Sequence, residues 1–115
     1  MNHDFSLNVT WDVGANRPQV SQTQQHVDVN QGEDVVITWV PTPAPGDTIE
    51  ITSITGFPSA VSVAGPFADG TWTATYRQPD NAGRWSYIVS ASLNGSPVVR
   101  HDPEIDNTPP PIPPG

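Results

Sequence analysis

The stretch Gly83–Leu93, GRWSYIVSASL, decides how the rest of the chain is read. Trp85, Tyr87, Val89, Ala91 and Leu93 occupy its odd positions, while Arg84, Ser86, Ser90 and Ser92 take most of the even ones. Only a period of two puts the apolar groups on one face, so the stretch is expected to be a strand with one buried side. It enters from the turn formers Gln78-Pro79-Asp80-Asn81-Ala82-Gly83 and leaves through Asn94-Gly95, where both residues tolerate the positive φ of a type I′ hairpin. Its expected hairpin partner is Val98–His101, ended by Asp102-Pro103.

Working outward, the same alternation recurs. Phe5, Leu7, Val9, Trp11 and Val13 alternate with Ser6, Asn8, Thr10 and Asp12, giving a long first strand. The polar run from Gly14 to Gln25 has no apolar face and reads as a surface connection, followed by a short strand at His26–Val29. In 34–40, Val35, Ile37 and Trp39 face one way and Val36 and Val40 the other, which predicts a central strand covered on both faces. Three prolines between Pro41 and Pro45 remove three donors and force a loop. Strands are expected at 48–54, at the short edge segment 60–63, and at 71–77, where Trp72, Ala74 and Tyr76 alternate with threonines. No window carries a helical repeat, and turn signals recur at the spacing of an all-β sandwich. The expected fold is all-β, a single antiparallel Greek-key β-sandwich of about seven or eight strands over residues 1–106. A Pro-rich tail, 107–115, favours polyproline II and lies outside the core.

Composition bounds the chemistry. At 115 residues the chain suits one domain. It has no cysteine, which excludes disulfides, thiolate metal sites and cysteine nucleophiles. Twelve acidic residues against four arginines and no lysine give a net charge of -8, so neither nucleic acid nor an anionic membrane is an expected partner. The first residues, Met-Asn-His-Asp, lack the regions of a signal peptide, and no apolar run is long enough to span a membrane. The chain as written reads as soluble, with cytoplasmic and mature secreted locations both open.

Two segments resemble the cupredoxin-like β-sandwich family. DVVITWVPTPAPGDTIEI, 34–51, is similar to the strand and polar loop that carry the family's first copper histidine. AGRWSYIVSAS, 82–92, is similar to the segment that supplies its cysteine and second histidine. Position by position, the resemblance implies ligands on or near Asp47, at Val89 and at Ser92, and an axial methionine soon after; none of these residues suits copper, and the only methionine is Met1. The resemblance therefore implies a cupredoxin-like scaffold without its metal, with a convergent immunoglobulin-like sandwich as the alternative.

Other chemistry is weakly encoded. His3, His26 and His101 are scattered, without the spacing of a metal site. Asp102, Glu104 and Asp106, with Asp80 and Asn81, suggest weak calcium binding, but their spacing fits no EF-hand and a strand-ending Asp-Pro turn accounts for them. There is no Gly-x-Ser-x-Gly elbow and no phosphate-cradling glycine cluster. No catalytic residue, metal or cofactor is expected. The four tryptophans, Trp11, Trp39, Trp72 and Trp85, sit in phase with apolar neighbours and are expected to share a core.

The expected function is a non-catalytic, metal-free protein-binding or self-assembly module. Phe5, Val9, Trp11 and Trp72 are the expected interaction surface, because the unblunted first strand would self-associate if it lay at a sheet edge. Carbohydrate binding through exposed aromatic residues is the alternative, and an enzyme with a carboxylate site the remote one.

Overall fold

The computed structural model describes residues 2–22, 24–30, 32–78 and 83–107. Within them the chain is all-β, with the strands β1 (Asn2–Asp12), β2 (Arg17–Val20), β3 (Gln24–Val27), β4 (Asp34–Pro41), β5 (Ile49–Thr55), β6 (Ser62–Ala64), β7 (Trp72–Arg77), β8 (Gly83–Ser86), β9 (Ile88–Leu93), β10 (Val99–His101) and β11 (Glu104–Asn107). Three sheets form, in the orders β2-β1-β4-β7-β6, β10-β9-β5 and β3-β11-β8.

The excess of segments over the seven or eight expected strands comes from breaks and from two missed strands. Tyr87 alone separates β8 from β9, and Asp102-Pro103 separates β10 from β11. The two breaks lie side by side, because Tyr87 N–H donates to the Pro103 carbonyl at 3.1 Å. The proline cannot donate, so the ladder interrupts there and resumes beyond it. β2 was expected to be connection; Pro18 and Val20 nevertheless give it a buried face, too short to show against its polar neighbours. Asp102-Pro103 ends β10 as expected, but the chain resumes as the unexpected strand β11, whose last residue, Asn107, is fully buried although the expected tail begins there. Residues 108–115 and Asp80-Asn81 lie outside the described residues.

The sandwich is mixed rather than antiparallel. β1 runs parallel to β4 from Asn2↔Asp34 to Val9↔Pro41, and β3 runs parallel to β11. Hairpin signals specify only local antiparallel pairs, and the chain between β1 and β4 is long enough to make the return crossing that parallel pairing needs.

The core lies between the sheets. Leu7 and Val9 from β1, Val35, Ile37 and Trp39 from β4, and Val89 and Ala91 from β9 are completely buried. Each large aliphatic among them contributes about 1.5–3 kcal/mol on removal from water. β4 is central, as expected, but Val36, Thr38 and Val40 are half-buried, so only one of its faces is fully covered. In β9 the expectation of one buried side fails in the other direction: Ser90 and Ser92 are buried as well. β9 is the middle strand of its sheet, between β10 and β5. At the β9–β10 turn, Asn94 and Gly95 both have positive φ, 52° and 76°, as a type I′ turn requires.

Candidate functional site

The expected interaction surface is not one surface. Val9 is completely buried and faces the core, because the outward positions of β1 are the polar even ones. Phe5, Trp11 and Trp72 are half-buried and pack against the core, and Trp72 also donates its indole N–H to the Ile51 carbonyl at 3.0 Å. β1 is not an edge strand throughout: β2 pairs with it at Val9–Asp12 while β4 flanks its other side. Among the described residues only the Asn2–Leu7 half has no strand pairing on the side away from β4.

The tryptophans split. Trp39 is completely buried, its ring edge-on to Tyr87 at 5.3 Å, and its N–H donates to the Tyr87 hydroxyl at 3.1 Å. Tyr87 stacks on Phe57 at 4.9 Å, and Trp85 closes the cluster against Phe57 and Tyr76. Burial pushes both tyrosine hydroxyls well above their ordinary pKa. Among the described residues, the large apolar side chains left exposed are Val13, Phe67 and Val98, so no sheet face carries a row of exposed tryptophan or tyrosine rings.

The histidines do not converge. His3 pairs with Glu33, His26 lies 3.4 Å from Asp106, and His101 is buried with no hydrogen-bond partner for its Nε2 among the described residues. Desolvation and the nearby Arg17 guanidinium depress the His101 pKa, against a smaller opposing pull from Asp102. Arg84 lies 3.7 Å from Glu104 and 3.9 Å from Asp106, which ties these two acids into ion pairs. Among the described residues no group of three His, Cys, Asp or Glu is placed to hold a metal ion. Of the positions implied by the copper resemblance, Val89 is core and Ser92 is buried, while Asp47 is exposed at the end of the sandwich.

That end holds a cleft. About 240 Å³ in volume, it is lined by Thr10 and Trp11 at the end of β1, Val13 just after it, Thr42, Pro43 and Ala44 after β4, Asp47, and Leu93 at the end of β9. The parallel pairing of β1 and β4 is what brings their C-terminal ends together, and Thr42 N–H extends it by donating to the Val9 carbonyl at 2.8 Å. Asn94 then ties the proline loop to the β9 turn. Its Oδ1 accepts from Thr48 N–H at 2.7 Å, its Nδ2 donates to Asp47 Oδ1 at 3.0 Å, and its own N–H donates to the Thr48 carbonyl at 2.8 Å.

The walls are chiefly apolar, with the Trp11 indole as the one aromatic surface and Asp47 as the one ionisable group. Three donors rim it. Thr10 Oγ1 bonds the Gln19 carbonyl at 3.3 Å, Trp11 Nε1 bonds Asn16 Oδ1 at 3.3 Å, and Thr42 Oγ1 bonds the Val40 carbonyl at 3.0 Å. The first two are at the long end of hydrogen-bond geometry. Of the residues named from sequence for interaction, only Trp11 lines this cleft. Val13, Thr42, Pro43, Ala44 and Leu93 were missed because their convergence depends on the parallel crossing, which no local pattern encodes. Among the described residues the cleft lining carries one carboxylate, Asp47, and no second acid or histidine. No protein-family model matches the chain, and no curated protein matches it.

Proposed function

We propose that this protein is a non-catalytic, metal-free β-sandwich that works as a protein-binding or self-assembly module. The observation that carries the reading is the end cleft. It combines a half-buried indole, apolar walls and a single carboxylate, and beside it Val13 stands 86% exposed. An apolar side chain left in water at the rim of an apolar cleft gains by being covered, and aromatic anchors in small apolar clefts are how binding surfaces concentrate their energy.

The scaffold is read as a Greek-key sandwich of the cupredoxin-like type without its copper site. Joining β8 with β9 across Tyr87 and β10 with β11 across Asp102-Pro103 leaves nine strands among the described residues. The parallel β1–β4 pair favours this reading over an immunoglobulin-like one, whose two sheets are antiparallel. The test of function is the mass of the full chain by light scattering over a wide concentration range. Growth above 12.3 kDa supports self-assembly. A constant monomer mass contradicts it.

A further inference from the structure

We propose that the occupant of the Trp11 cleft is the proline-rich segment 108–115 of a second copy of this chain, so that copies join head to tail. The inference rests on the self-assembly reading and names its contacts. The segment, Thr-Pro-Pro-Pro-Ile-Pro-Pro-Gly, has five prolines. Such a sequence is already biased to polyproline II, and chains of that kind dock in aromatic-lined apolar grooves at low ordering cost. Proline carbonyls accept but proline nitrogens do not donate. A groove suited to them offers donors at its rim, and the Thr10 and Thr42 hydroxyls and the Trp11 indole N–H are donors. Two of these are engaged only by long bonds of 3.3 Å, which exchange at little cost.

Charge selects the same segment. Every one of the twelve acidic residues lies before position 107, so approach of two copies, each with a net charge of -8, is repulsive almost everywhere. Residues 108–115 carry no ionisable side chain and meet a cleft with only Asp47 charged.

Length makes the contact intermolecular. Asn107 pairs with Gly83, at the opposite end of the β8–β9 run from Leu93 in the cleft. That run covers roughly ten residues, about 33 Å at strand spacing. β11 is antiparallel to β8, so it leaves the sandwich heading away from the cleft. Eight residues of polyproline II reach about 25 Å, too short to turn back and fill the cleft of their own chain. A tail at one end and its acceptor at the other form a heterologous contact, which grows as rings or open chains rather than stopping at a dimer.

Two full-length variants test this. P110D/P113D spoils the tail and leaves the cleft, whereas V13D puts a second negative charge at the cleft rim at a side chain 86% exposed, where it does not disturb the core. By light scattering at roughly 1 mM, a range in which millimolar contacts register, the unaltered chain is expected to grow beyond a dimer. Each variant alone is expected to lose association at least tenfold. An equimolar mixture is expected to recover a capped dimer, since one intact tail meets one intact cleft and no further site remains. If the unaltered chain associates while either variant associates equally well, or if the mixture stays monomeric, the inference is overturned and the self-assembly reading survives. A strictly monomeric unaltered chain overturns both.

Discussion

Tyr87 sits inside the buried aromatic cluster. Its hydroxyl is the acceptor for the buried Trp39 N–H, and its ring lies between Trp39 and Phe57. Tyr87→Phe keeps the rings and removes only that acceptor, so the cost expected is the desolvation of one orphaned donor, about 1–3 kcal/mol in urea unfolding. A loss near zero would mean that the Trp39 N–H finds another partner. His101 makes a prediction of different form. Its pKa in the fold is below the ordinary value of 6.5, so the unfolded chain binds that proton more readily. The stability linked to it is fully present above 6.5 and falls away as pH drops through the folded value. Stability should therefore rise with pH across this window, and His101→Leu should flatten that rise. Val9 illustrates what residue-scale reading mistakes: the alternation of β1 is legible, but which of its faces meets the core depends on β4 and β9, and Val9→Lys is expected to unfold the protein rather than dissociate an assembly.

The elements that sequence reveals best are those with their own hydrophobic period. β4, β5, β7 and the β8–β9 run are legible to within a residue, β1 to within three at its start, and the Asn94-Gly95 turn is legible too, because each signal is local. β2 and β11 were not, since four-residue strands offer two core positions apiece and one of those in β2 is a proline. The parallel pairings were illegible for the same reason as the cleft they build: nothing within β1 or β4 states which neighbour it takes. Asn94 is the element-scale test of that construction. Asn94→Ala removes both side-chain bonds to the proline loop and places alanine at a φ of 52°. It is expected to cost about 1–3 kcal/mol, and to weaken self-association as well, because Asp47 and the loop behind it lose their anchor. A variant destabilised but undiminished in association would separate the cleft from the assembly.

At the scale of the whole molecule, the charge of -8 sets the terms on which copies meet. An interface built on apolar cover against that repulsion should strengthen with added salt, as screening shortens to about 8 Å near 0.15 M, whereas one built on ion pairs should weaken. Deleting 108–115 should leave the thermal midpoint unchanged at low micromolar concentration, since five prolines and a glycine in that stretch have little to pair or bury. The most direct measurement of the central claim is residue-resolved amide and indole NMR on dilution from roughly 1 mM to tens of micromolar, a span wide enough to populate and empty a weak interface. The account predicts shifts at the Trp11 indole N–H and at Val13, Thr42 and Leu93, with the amides around β6 and Val98 unmoved. Spectra that do not change, or that change only along the Asn2–Leu7 edge of β1, would contradict it.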